Sequence, residues 1–319
     1  MNVVIIIFCL IIIYIIFGLI RIPSINYKTF FLNFRKNKSP KLYNNEFNFP
    51  IEKVNDPAMY TENIKELFEY IQKLSYKNFD LKYLPDIMGH SRINLYLNSY
   101  SAPDGVFDNK FYWFLFCKKY KFNHPKTYIV KQLNKVYKFN TFDNEETYLI
   151  KPLTGCQGYG IEKIKGHLLS KLLKEKDNFL IQDLLKDNFT KCKSRHFRPV
   201  TTFDGDICFL KMYCSKNNFR SNLALGAKYN DILDDFVSNK TKLSVIEVNL
   251  LKDIIKKLKN VHKRYYNYIF SIGWDVMFSD NKIYILEGNV YGHGASAENE
   301  IHVCKYLKKA EIFYNNLFK

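Results

Sequence analysis

Ser271-Ile-Gly-Trp-Asp-Val-Met-Phe-Ser-Asp-Asn-Lys-Ile-Tyr-Ile-Leu-Glu-Gly-Asn289 reads as two strands and a tight turn. Ser271 to Phe278 is apolar and aromatic, and Lys282 to Leu286 is β-branched and aromatic again. Between them Asp280 and Asn281 are residues that tolerate the left-handed region. Asp275 sits on the first strand, and Glu287 and Asn289 close the second. With the turn near 280 the outer ends of the strands come together, which puts Asp275 within reach of Glu287. Glu287 and Asn289 are two apart and share a face. Three oxygen side chains on one face make a hard-cation site, of the kind Mg²⁺ uses while phosphates fill its remaining positions. An ordinary amphipathic hairpin with its polar residues in water has the same pattern, so other segments must decide between the two.

The totals narrow the partners. A chain of 319 residues allows one large or two medium domains, and 47% hydrophobic content is ordinary for a globular protein. The net charge of +17 favours acidic partners: nucleotides, anionic lipid or nucleic acid. Seven cysteines, at 9, 117, 156, 192, 208, 214 and 304, are odd in number and show no CxxC spacing. That pattern argues against a disulfide framework or a zinc site and for a reducing compartment.

Val3 to Ile20 is a run of 18 residues without a charge. As a helix it would span about 27 Å, close to the roughly 30 Å hydrocarbon core. A signal peptide would want a basic start and small residues at its exit, and neither is present. Residues 1–20 are therefore expected to be a single transmembrane anchor. Arg21, Lys28, Arg35, Lys36, Lys38 and Lys41 follow, with no acid before Glu46. Residues 21–45 read as a basic juxtamembrane linker, and the positive-inside rule places the rest of the chain in the cytosol. Residues 46–105 carry a helix face at Ile64, Leu67, Phe68, Ile71 and Leu74 but no evident chemistry.

The chemistry gathers after residue 105. Phe107 to Tyr120 is a predicted helix, His124-Pro125 breaks it, and Thr127 to Val130 is a predicted strand. Thr147 to Lys151 is a short buried strand that ends on a lysine before Pro152. Glycines at 155, 158 and 160 follow, and then a second strand from Ile161 to Ile164. Strand, glycine-rich turn, strand makes a flap whose bare backbone N–H groups can approach phosphates. It is neither a P-loop nor a dinucleotide fingerprint, because a strand follows rather than a helix. A lysine inside a buried strand needs an anion, and phosphate would supply one. Phe179 to Leu185 is a buried strand carrying Gln182 and Asp183. Arg198 and Lys211 lie on the strands of one hairpin turning at Asp204-Gly205, with Arg220 and Asn222 beyond it. These cations are spaced singly among apolar residues, unlike a nucleic-acid patch. Val245 to Tyr265 is an amphipathic helix, and Glu298 to Leu317 closes the chain.

Lysine strand, glycine flap, hinge strand, cationic hairpin and carboxylate hairpin, in that order, resemble the ATP-grasp superfamily. The likeness is nearest to the alpha-L-glutamate ligases that modify ribosomal protein. Lys211 follows Arg198 by 13 residues, and Arg220 of Phe219-Arg-Ser-Asn222 follows it by 22. Gly273-Trp-Asp275 and Glu287-Gly-Asn289 keep the family's 12-residue spacing between Asp and Glu. Trp274 and Gly288 resemble instead the sugar-transfer-associated ATP-grasp proteins. Gly226-Ala227 stands where a double glycine is expected.

The resemblance implies an α+β ATP-grasp fold, two subdomains clasping ATP over residues 106–319. It implies that Lys151 contacts ATP phosphates beneath the loop of Gly155, Gly158 and Gly160. It places Gln182 and Asp183 at the adenine hinge, and gives Mg²⁺ (or Mn²⁺) to Asp275, Glu287 and Asn289. Arg198, Lys211, Arg220 and Asn222 are then the catalytic set facing the phosphates and an acyl-phosphate. The expected activity is ATP- and Mg²⁺-dependent ligation of a carboxylate to an amine. Two alternatives stay open: an ATP-grasp enzyme of surface-glycan metabolism, and a membrane-tethered basic module that binds nucleic acid or anionic lipid without ATP.

Overall fold

Helix α1 (Lys110–Tyr120) begins at an Asn109 cap, whose side chain accepts a hydrogen bond from Phe111 N at 2.9 Å. The strands after it form a first sheet: β1 (Thr127–Gln132), β2 (Lys135–Lys138), β3 (Thr147–Pro152), β4 (Glu162–Lys165) and, after the short helix α2 (Leu169–Glu175), β5 (Phe179–Asp183). Their order is β2-β1-β5-β3-β4, antiparallel throughout. A second antiparallel sheet, ordered β10-β9-β6-β7-β8, takes β6 (Ser194–Thr202), β7 (Ile207–Ser215), β8 (Lys228–Asp231), β9 (Ser271–Ser279) and β10 (Lys282–Asn289). Helices α3 (Leu233–Val237), α4 (Val245–Tyr265) and α5 (Glu300–Leu317) complete it. The class is α+β, as expected. This computed structural model describes residues 94, 97, 98, 101, 102, 106–155, 158–188, 192–221, 225–291 and 300–317. The anchor over residues 1–20, the linker over 21–45, most of 46–105, and Asn222 lie outside the described residues. Among the described residues no helix is long and apolar enough to cross a membrane.

Two turns foreseen from composition have the expected backbone. Asp280 and Asn281 take φ of 49° and 56°, closing the β9–β10 hairpin. In the flap Gly155, Gly158 and Gly160 take φ of 126°, 73° and 70°, which a side chain rarely tolerates. The flap's strands pair antiparallel from Thr147↔Lys165 to Ile150↔Glu162.

One device was not foreseen. The β9–β10 register runs regularly from Lys282↔Ser279 to Ile285↔Val276 and then shifts, so that Glu287 pairs with Asp275. Leu286 is the extra residue of a β-bulge, and it is this bulge that brings Glu287 opposite Asp275.

The core explains the departures at 274 and 288. Trp113 of α1 meets Trp274 edge-on with ring centroids 5.5 Å apart, amid Phe107, Phe116 and Tyr266. A Cβ on Gly288 would collide with the Trp113 indole. Both residues therefore serve the packing of α1 on the hairpin. Helix α4 starts in a capping box, Ser244 with Glu247, and buries Leu251, Ile254, Ile255 and Leu258 against the second sheet. Behind the hairpin, Asn98 Nδ2 donates to the carbonyls of Ser271 and Val290 at 2.9 and 2.7 Å, fixing the strand ends that carry the site.

The expectation against disulfides is corrected by a bond between Cys192 and Cys214. The two lie 22 apart in sequence and become neighbours only through the β6–β7 register, in which Arg195 faces Cys214. Cys117 and Cys208 are free and buried.

Candidate nucleotide and cation site

A pocket opens between the two sheets, and six segments supply its polar side chains. Strand β3 supplies Lys151, β5 Asp183, β6 His196 and Arg198, and the hairpin Asp275 and Glu287. Helix α1 adds Lys110, the glycine flap covers one side, and Arg220 reaches in from the segment after β7. Leu149, Ile161, Leu184, Leu185, Met277 and Leu286 line an apolar part. Polar groups converging beside an apolar slot are what a nucleotide's phosphates and base require.

Lys151 has the most telling surroundings. It is 8% exposed, and its ammonium makes no hydrogen bond or ion pair among the described residues. Burial pushes its pKa down to about 8, with Glu287 opposing the shift and Lys110 adding to it. A buried cation without a partner, facing a pocket, is a seat for an anion.

The carboxylates are already engaged. Arg198 grips Asp275 with two hydrogen bonds, Nε to Oδ1 at 2.6 Å and NH2 to Oδ2 at 2.9 Å. Burial works against both charges, yet each holds the other ionised: the Arg198 pKa rises and the Asp275 pKa falls. Lys110 Nζ lies 3.2 Å from Glu287 Oε2 and donates to the Gly155 carbonyl at 2.9 Å, joining the flap to the hairpin. Arg220 makes a second tie, donating to the Gly158 carbonyl at 3.0 Å. Four cations (Lys110, Lys151, Arg198, Arg220) against three carboxylates (Asp183, Asp275, Glu287) leave one net positive charge for an anion.

The donor set fits a hard divalent cation. Asp275 and Glu287 are direct cross-strand partners, and Asn289 lies two residues on, its amide hydrogen-bonded to Asp275 and to the Gly273 carbonyl at 3.3 Å. Among the described residues no three His, Cys, Asp or Glu side chains gather tightly enough to hold an ion alone. Mg²⁺ is commonly held this way, by one or two carboxylates with phosphate oxygens completing its shell.

The sequence-derived set is thus only partly brought together. Lys151, Gly155, Gly158, Asp183, Arg198, Arg220, Asp275 and Glu287 line the pocket. Gly160 packs over Pro152 at the base of the flap. Gln182 keeps its hinge strand at the pocket's edge but not its side chain, which donates to Thr127 Oγ1 at 3.1 Å beside His124. Adjacent strand residues point to opposite faces, so the side chains of Gln182 and Asp183 cannot both address one ligand, whereas the strand's backbone groups can. Asp183 itself accepts a hydrogen bond from Tyr128 OH at 2.7 Å. Lys211 pairs in register with Arg198 but is 1% exposed, its Nζ 4.1 Å from the Tyr229 ring, and it does not line the pocket. Asn222 lies outside the described residues.

Two site residues escaped the sequence reading. Lys110 looks like an ordinary first-turn residue, and nothing in its neighbours announces its reach to Glu287. His196 was legible: Ser194, His196 and Arg198 alternate along one strand face. Arg195, between them, turns the other way and is buried in ion pairs with Asp187 and Glu247, which bind the segment after β5 to the start of α4.

The chain resembles the alpha-L-glutamate ligases, as its motifs indicated. Over 255 residues it is 24% identical to the tetrahydromethanopterin:alpha-L-glutamate ligase of Methanocaldococcus jannaschii, a match covering 75% of this chain and 76% of the relative. The enzyme of the same name from Methanococcus maripaludis is 28% identical over 137 residues, 40% of this chain and 46% of that one. No protein-family model matches. Among solved structures, D-alanine–D-alanine ligase from Bacillus anthracis complexed with ATP overlaps with a TM-score of 0.43 at 14% identity, over 69% of this chain and 67% of that one. The ATP-grasp ligase PsnB complexed with minimal precursor overlaps with a TM-score of 0.40 at 13% identity, over 64% and 60%.

Proposed function

We propose that the chain is an ATP-grasp ligase, with residues 106–319 as its catalytic domain, that joins a carboxylate to an amine at the expense of ATP. The observation that carries this reading is the buried Lys151 ammonium, unpartnered among the described residues, which shares its pocket with the cross-strand carboxylates Asp275 and Glu287. Lys151, Arg220 and the flap amides would hold the polyphosphate, and the apolar residues from Leu149 to Leu286 would take the base. Asp275, Glu287 and Asn289 would hold Mg²⁺, which neutralises phosphate charge when bound.

A carboxylate oxygen of the substrate attacks the γ-phosphorus and ADP departs, leaving an acyl-phosphate. The amine then attacks the acyl carbon, inorganic phosphate departs, and the nitrogen sheds a proton. Such transfers need positioning and charge neutralisation more than a protein nucleophile. This is why a site of cations and backbone amides suffices. ATP with Mg²⁺ is expected to raise the melting temperature of the full-length protein, as any ligand of the native state must above its Kd. ATP alone should raise it less. A thermal-shift series without any response to ATP would end the proposal.

The membrane anchor over residues 3–20 belongs to the same proposal. Its sidedness is where two features pull apart. The basic flank from Arg21 to Lys41 assigns the catalytic domain to the cytosolic side, whereas a Cys192–Cys214 bond persists best in oxidising surroundings. Protease treatment of intact cells is expected to leave the catalytic domain uncut; digestion would reverse the orientation.

A further inference from the structure

His196 lines the pocket, and the proposed reaction gives it no task. It leaves β6 on the same face as Arg198, two residues on. Its ring is held on two sides. It stacks on Tyr213, with centroids 4.5 Å apart and planes 5° from parallel. Its Nδ1 lies 2.6 Å from Ser221 Oγ, which also accepts from Ser194 Oγ at 3.2 Å. The other nitrogen is left over. Nε2 is buried, has no hydrogen-bond partner among the described residues, and lies 3.7 Å from Asp275 Oδ1. A buried nitrogen without a partner is costly, and such atoms in native proteins ordinarily have an ion, a water or a task.

We propose that His196 Nε2 is a nitrogen ligand of the divalent cation held at Asp275. The inference rests on the cation site of the proposed function and adds a ligand to it. Two metal–ligand bonds of about 2.1 Å reach about 4.2 Å end to end, so one ion can span the 3.7 Å between Nε2 and Oδ1. Each carboxylate oxygen has two lone pairs, so Asp275 Oδ1 can accept from Arg198 and still bind an ion. Ser221 supplies the outer contact that a ligating imidazole usually has. With Nδ1–H donating to Ser221 Oγ, the lone pair of Nε2 faces the ion. Mg²⁺ demands oxygen ligands, whereas Mn²⁺ accepts an imidazole more readily. The ion preference of this chain is therefore shifted toward Mn²⁺.

The test is pulsed electron paramagnetic resonance of Mn²⁺ bound with ATP to the full-length protein. A ¹⁴N modulation is expected that converts to a ¹⁵N pattern when only the histidines are ¹⁵N-labelled, which excludes the adenine nitrogens as its source. It should vanish in His196→Gln, with the Mn²⁺-over-Mg²⁺ preference falling about tenfold. If that variant does not fold, the labelled wild-type protein still shows whether a histidine is a ligand, and His196→Asn then decides whether it is this one of the seven. Bound Mn²⁺ with no label-sensitive nitrogen coupling overturns this ligand and leaves the ligase reading intact. A protein that binds no Mn²⁺ in the presence of ATP overturns both.

Discussion

Lys151→Met is expected to abolish ATP binding and, in the same protein, to raise the stability of the ligand-free fold. The two effects share a cause. The ammonium is buried with no counter-ion of its own among the described residues, and burial takes its pKa from 10.5 to about 8. A cation whose pKa falls on folding binds fewer protons in the folded state than in the unfolded state across pH 8 to 10.5. Stability of the native protein should therefore climb as pH rises through that window, and below it the charged lysine is a burden. A shift of this size corresponds to about 3 kcal/mol, an upper figure for the gain on substitution at pH 7. Methionine matches the stem of lysine without the charge, so it should flatten the pH dependence as well. Urea denaturation at pH 7 and pH 10 reads the stability, and calorimetry reads ATP binding. A variant that is less stable and still binds ATP would make Lys151 a packing residue.

Glu287→Gln is expected to reduce ATP turnover by roughly 10²–10³-fold or more, the scale on which a single preorganised electrostatic contact acts. Glutamine keeps the shape and one oxygen but removes the charge that faces both the cation site and Lys110. Glu287 keeps 26% of its side-chain exposure, so the lost pairing with Lys110 should cost only about 1 kcal/mol or less. The fold should survive, and circular dichroism would show it. ADP release at saturating Mg²⁺ is the measurement, and turnover at the wild-type rate would remove Glu287 from the cation site. These two variants also separate functions within one pocket. Loss of Lys151 should remove binding, whereas loss of Glu287 should remove turnover more than binding.

The parts of this site that were legible in the sequence are those governed by local rules. Asp280-Asn281 marked its turn because few other residues enter the left-handed region. The glycines of the flap did so for the same reason. Strand periodicity places Lys151 at the end of a buried strand, and the same period of two sets His196 beside Arg198. The same alternation separates Gln182 from Asp183. What stayed hidden depends on how distant pieces dock. Lys110 reaches Glu287 only because Trp113 seats α1 on the hairpin. Cys192 meets Cys214 only because the β6–β7 register brings them side by side. Lys211 has the expected spacing from Arg198, but spacing could not reveal that a tyrosine ring would cover it.

The bulge at Leu286 has an arithmetical consequence. In a hairpin closed by two turn residues, partners on facing strands are always separated by an odd number of positions, as 279 and 282 or 276 and 285 are here. Asp275 and Glu287 are 12 apart, an even number, and are partners nonetheless. An even interval is thus the numerical imprint of the inserted residue, and any insertion or deletion of one residue between them would undo the match unless the bulge itself moved. Parity, read by counting, tells whether an aspartate and a glutamate in such a hairpin need a bulge in order to meet.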